Sequence, residues 1–122
     1  MIEINNLTKF RIDRKSFTQV AKKVLSGENR EKEIVSLAFV SKAEMQKLNK
    51  KHRGKNQPTD VLSFEGINEV VICPEVVKEK KEDIIRVFVH GILHLLGYDH
   101  KKSKREAKRM EEKEKFYLKI KN

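Results

Sequence analysis

A chain of 122 residues, 38% apolar and 38% charged, is the right size for one domain with a small core and too short for two. Five Gly, two Pro and one cysteine, Cys73, exclude collagen-like, low-complexity and disulfide-scaffold classes and a cysteine-based zinc finger; the lone thiol suits a reducing, cytoplasmic setting. Lys and Arg number 28 against 18 Asp and Glu, and the balance of +10 points to a polyanionic partner such as nucleic acid, although a solubilising or heat-adapted surface shares that composition.

No apolar stretch is long enough to span a bilayer, and the opening Met1-Ile2-Glu3-Ile4-Asn5-Asn6 lacks the basic-then-apolar order of a signal peptide. No membrane association is expected. Ile2, Ile4 and Leu7 suggest a first strand. Ser16 opens a helix with Phe17, Val20, Ala21, Val24 and Leu25 on one face, closed by Gly27. Residues 34–40 form a nearly continuous apolar run, as in a strand covered on both faces, and the order so far suggests a right-handed parallel crossover. Ser41-Lys-Ala-Glu44 is a capping box for a helix carrying Met45 and Leu48.

A basic loop follows, from Lys50 through His52, Arg53 and Lys55 to Pro58-Thr59-Asp60. Residues 61–64 and 70–73 read as antiparallel strands joined by a short turn containing Gly66. From Asp83 the pattern is helical through Leu96 and stops at Gly97; Ser103-Lys-Arg-Glu106 caps a last helix with Ala107, Met110, Tyr117 and Leu118 as apolar positions. The expected fold is α+β: a mixed four-stranded sheet with helices packed against it.

The informative segment is His90-Gly-Ile-Leu-His94-Leu-Leu-Gly97-Tyr-Asp-His100. Imidazoles four apart on a helix lie one turn apart on the same face and reach a common point. Gly97 ends the helix and lets the chain bring His100 back toward that point. An isolated pair at this spacing is usually two ordinary hydrogen-bonded histidines. Here the helix is apolar nearly all round, so unpaired rings would be costly, and a third histidine completes the set. Three imidazoles leave a fourth tetrahedral position open, the pattern of one catalytic zinc ion. His52 lies outside it and is expected to be solvated. The spacing also matches zinc peptidases, but the position of their glutamate base is Gly91, which has no side chain. A glycine inside a helix suits close approach of a substrate or strand, or tight helix packing.

These residues resemble the signature of the YbeY endoribonucleases, single-domain bacterial rRNA maturation factors. The stretch Asn49-Lys-Lys-His-Arg53-Gly-Lys-Asn-Gln-Pro58-Thr59-Asp60-Val-Leu-Ser63-Phe64 is similar to the family's second hallmark, and the tail from Glu106 through Met110 to Leu118 follows its pattern. The resemblance implies one domain over residues 1–122 with a single zinc held by His90, His94 and His100 and a cleft including Arg53. It further implies activity on single-stranded RNA in 16S rRNA 3′-end maturation and ribosome quality control, with the small ribosomal subunit as partner and no small-molecule cofactor. Asn68-Glu69-Val70 stands where the family has Gly-Asp-Ile, the turn before it is short, and the connection from Pro74 to Asp83 trims a linking helix. These departures fall on the cleft rim.

A guanidinium fork at Arg53 could bind phosphate oxygens bidentately; the residue alone reads more readily as a solvated loop arginine, and the resemblance reverses that weighting. Asp60 and Asp99 are the nearest candidate bases, or else orient a ligand histidine. The basic start of the last helix (Lys101, Lys102, Lys104, Arg105, Lys108, Arg109) either tracks an RNA backbone or is a solvated face; with few aromatics, backbone contacts should dominate. Two other classes stay open: a peptidase, disfavoured by Gly91, and an RNA-binding ribosome-assembly factor with a structural metal.

Overall fold

The computed structural model describes residues 1–119. Its sheet has four strands in the order β1 (Ile2–Asn6), β2 (Val35–Phe39), β4 (Glu69–Ile72), β3 (Val61–Phe64). The first three run parallel, with Leu37 opposite both Ile4 and Val70, and β3 pairs antiparallel with β4 at the edge. The expected α+β class and mixed sheet are therefore observed.

Between β1 and β2, helix α1 (Arg14–Gly27) buries Phe17, Val20, Ala21, Val24 and Leu25. It starts earlier than Ser16, because the Asp13 carboxylate accepts the Ser16 amide and hydroxyl and caps the helix. Helix α2 (Lys42–Arg53) is capped by Ser41, whose hydroxyl accepts the Glu44 amide. It continues through Lys50, Lys51, His52 and Arg53, so the basic segment expected as loop is the last helical turn. Basic side chains there complement the carbonyl end of the helix dipole, and Gly54 ends the helix at φ +70°.

One face of the sheet carries the main core. Val35, Leu37, Phe39, Val70 and Ile72 pack with α1 and with α4 (Ile84–Leu95), and Phe17 meets Phe39 and Phe88 edge-on. On the other face Leu62, Val71 and Cys73 pack with Met45 of α2 and Val76 of α3 (Pro74–Glu79), the short helix in the connection to α4. Both faces are thus covered at β4. In β2 only Val35, Leu37 and Phe39 are buried, while Ser36 and Ala38 are half-buried, so the expected two-sided cover belongs to β4. Its place between β2 and β3 is the reason. The β3–β4 link is one 3-10 turn, Glu65–Ile67, closed by Asn68 at φ +51°. Asn68, not Gly66, takes the left-handed conformation. Helix α5 (Lys104–Lys119), with the Ser103 hydroxyl accepting the Glu106 amide, packs on α4 and α1.

Candidate metal centre

Helix α4 begins where the Asp83 carboxylate accepts the Ile85 amide, and it buries Val87, Phe88, Val89, Ile92, Leu93 and Leu95. Such a helix lies flat on the sheet and fixes its own rotation, so His90 and His94 share a side by geometry. Gly91 sets the distance to the sheet. A Cβ there would stand 2.7 Å from Val70 Cγ1 and 3.3 Å from Val61 Cγ2, and the Ser63 hydroxyl donates to the Gly91 carbonyl at 2.9 Å. Of the roles expected for this glycine, close approach of a strand is the one observed. The position that carries the base in peptidases thus faces β3 and β4.

After α4 the chain turns at Gly97, φ +105°, with the Tyr98 amide donating to the Leu93 carbonyl at 3.1 Å. The Asp99 carboxylate accepts the Lys101 amide at 2.9 Å and closes the next turn, which carries His100. His100 then meets the two helical rings. Ring centroids are 5.6 Å apart for His90–His94, 4.9 Å for His90–His100 and 5.3 Å for His94–His100, and each ring offers a nitrogen within 4.8 Å of the others.

The fourth residue of the site is Glu114, which sequence reasoning missed. Buried on α5, it accepts from His90 Nδ1 at 2.9 Å and from Arg86 Nε at 3.3 Å. Burial opposes its ionised form, but the hydrogen bond from His90 and the Arg86 cation outweigh burial and hold the carboxyl below its usual range. An ionised Glu114 accepts only, so His90 carries its proton on Nδ1 and presents Nε2 to the centre. Burial, then the neighbouring His90, lowers the pKa of both His94 and His100. His100 Nδ1 is buried with no hydrogen-bond partner. Convergent imidazoles, one with an orphaned buried nitrogen and one oriented by a carboxylate, fit a divalent metal ion of nitrogen preference. The signal for Glu114 was its place between Met110 and Tyr117 on the apolar face of the last helix.

The triad opens into a cleft of about 1210 Å³ that also holds Arg53, Asp60, Glu82, Asp99 and Lys101. Arg53 is exposed, at the end of α2. Asp60 is half-buried and accepts the Val61 amide at 2.8 Å and the Thr59 hydroxyl at 3.2 Å, with Lys80 Nζ 3.7 Å away. Burial opposes its charge, yet a hydrogen bond with Glu82 and the Lys80 cation keep it low; burial and the Asp60 charge push Glu82 up. Of the two carboxyls, Glu82 is thus the easier to protonate. Asn49 is buried and donates to the Gln57 carbonyl at 2.8 Å, tying down the loop between Arg53 and Asp60. His52, expected to be solvated, is exposed but sets its ring against Phe64 at 4.7 Å.

Behind the triad, Glu28 at the end of α1 accepts from Tyr98 Oη at 2.7 Å, from Lys113 Nζ at 3.1 Å and from Tyr117 Oη. Arg109 lies 4.9 Å from the Tyr98 ring centroid. The turn carrying His100 and the helix carrying Glu114 are thereby fastened to one carboxylate.

Fold and site together define an α+β domain with a three-histidine centre suited to one metal ion in an open cleft lined by charged side chains of both signs. The family model described as Endoribonuclease YbeY matches residues 3–122, and the chain belongs to that family. Endoribonuclease YbeY of Bdellovibrio bacteriovorus is 42% identical over 102 residues, covering 73% of this chain and 67% of that protein. The Thermotoga neapolitana protein is 41% identical over 95 residues, 68% of this chain and 64% of its own length. The Persephonella marina protein is 34% identical over 118 residues, 81% of this chain and 77% of that one. The chain thus spans about two thirds of the first two relatives. Among solved structures, the solution structure of TM1509 from Thermotoga maritima matches with a TM-score of 0.66 and 32% identity, covering 97% of this chain and 87% of that one. No helix among the described residues is long and apolar enough to cross a membrane.

Proposed function

We propose that this chain is a cytoplasmic, zinc-dependent endoribonuclease that cuts single-stranded RNA in 16S rRNA 3′-end maturation and ribosome quality control, acting on the small ribosomal subunit. The observation that carries the chemistry is the convergence of His90, His94 and His100 on a cleft that also holds Arg53. Family membership supports RNA as the substrate. One zinc ion held by the three imidazoles would supply Lewis-acid charge stabilisation at the scissile phosphate.

The chain's own groups do the rest. Glu114 fixes the tautomer and orientation of His90. Arg53 offers its fork to the phosphate and offsets charge that grows in phosphoryl transfer. Asp60, the more readily ionised of the pair it forms with Glu82, is a candidate base at the cleft wall, and Asp99 lies in the same cleft beside His100. The net charge of +10 draws the RNA backbone in.

Single-turnover cleavage of a short labelled RNA, with metal content measured on the same samples, tests the reading. Arg53→Ala should keep fold and zinc and cleave about 10²- to 10³-fold more slowly, with only part of the rate returned by Arg53→Lys. Lys101 lines the cleft, so the charge control is Lys22→Ala, exposed on α1 outside it. Wild-type rates in Arg53→Ala would remove Arg53 from the chemistry. Fully metallated wild type without cleavage would favour an RNA-binding assembly factor.

A further inference from the structure

We propose that His52, Phe64 and Ile67 form a stacking subsite for one unpaired nucleobase at the mouth of the metal cleft. The inference rests on the reading of the chain as an RNA-acting enzyme and names the part of the substrate that this wall contacts. Phe64 ends β3 and packs against the second core beside Met45 and Leu62, so its ring is backed by a rigid layer. His52, in the last turn of α2, meets it edge to face at 4.7 Å and 70° and is itself exposed. Ile67, on the 3-10 turn, is 67% exposed. All three line the cleft that holds the three histidines.

The exposed part of the remaining wall is largely polar or charged, with Arg53, Asp60, Glu65, Glu82, Asp99 and Lys101, while its other apolar members, Val61, Leu62 and Val87, are half-buried or buried. Ring and aliphatic surface left open in such surroundings is poorly hydrated, and the flat face of a base is the substrate surface that covers it. Arg53 follows His52 in the chain and lines the same cleft. Side by side, the two groups suit the two halves of one nucleotide: a π-face for His52 and Phe64, a phosphate for Arg53. A base inside a duplex has both faces covered by its neighbours. The subsite therefore selects single strands by shape, without reading base identity, since every base has a π-face. Base contact then supplements the backbone contacts expected from the scarcity of aromatics.

The test uses the metal-loaded protein and an eight-nucleotide 2′-O-methyl RNA with a terminal fluorescein and one 2-aminopurine, placed in turn at each position. Anisotropy reads binding, and 2-aminopurine quenching reads stacking. Quenching is expected at one or two positions, and an abasic site there should weaken binding about 5- to 100-fold. His52→Ala should abolish the quenching and bring base-bearing and abasic oligonucleotides to equal affinity. Phe64→Leu, which keeps apolar bulk under the fold but removes the ring, should do the same; Lys22→Ala should retain the quenching. Binding with no quenched position, or quenching unchanged in both His52→Ala and Phe64→Leu, overturns the subsite and leaves the ribonuclease reading standing. Absence of any oligonucleotide binding overturns both.

Discussion

Replacing Gly91 with alanine isolates the contact that seats the metal helix on the sheet. In a free helix the change would stabilise by about 0.5–1 kcal/mol, because alanine is the better helix former. Here the added Cβ would lie 2.7 Å from Val70 Cγ1 and 3.3 Å from Val70 Cγ2 and Val61 Cγ2, between fully buried Val70 and half-buried Val61. Overpacking of this kind costs about 1–3 kcal/mol. The net loss should be about 1–2 kcal/mol, a fall in Tm of about 4–8 °C for a domain of this size. Val70→Ala alone should cost about 2 kcal/mol through lost burial and a cavity. In the double variant the new methyl fills the vacated space, so the two losses should fall short of additivity by about 1 kcal/mol or more. Thermal and urea unfolding of the four proteins measure this. A Gly91→Ala protein as stable as wild type, or strictly additive losses, would refute the packing argument.

Glu114→Gln removes the carboxylate that orients His90, and zinc affinity measured by chelator competition should fall about 10- to 100-fold with the fold intact. Glu28 titrates below its ordinary value: burial opposes the charge, but hydrogen bonds from Tyr117, Tyr98 and Lys113 prevail. A carboxyl whose folded pKa is depressed stabilises above its unfolded pKa of about 4.3 and loses that advantage as pH falls through the lower folded value. The stability gap between wild type and Glu28→Gln should therefore be widest near neutrality and close in acid below that pH; urea unfolding at stepped pH would show a constant gap if the argument fails. RNA affinity should fall steeply with salt, with a log–log slope of about −0.7 for each phosphate neutralised on a single strand, whereas a flat response would leave the positive charge to solubility alone.

The three histidines were legible because every constraint on them is local: helical spacing, an apolar surround and a glycine that ends the helix. Strand partners are not local. The run at residues 34–40 looks more uniformly apolar than residues 69–72, yet β4 is the strand covered twice, since cover depends on which strand lies centrally and where α2 and α3 rest. Residues 50–53 looked like loop because four polar side chains in a row have no apolar period. The helix persists to Gly54 because its buried face ends at Asn49, which also holds the following loop. Glu114 was hidden by its surroundings, one glutamate among many charges on α5 and 24 residues from the ring it holds. Only its register with Met110 and Tyr117 set it apart.

The tie at Glu28 also orders events in folding. Its bonds to Tyr98, Lys113 and Tyr117 span 70, 85 and 89 residues of chain. Contacts of such separation close late, after loop entropy has been overcome by nearer ones. Helix α4 can wind locally and bring His90 and His94 into line early. Glu28 fastens the turn carrying His100 and the helix carrying Glu114 only once α1 has docked. The last tie on the centre thus comes from α1, and a chain lacking that helix would keep the local constraints on its three histidines but lose the carboxylate that fastens Tyr98, Lys113 and Tyr117.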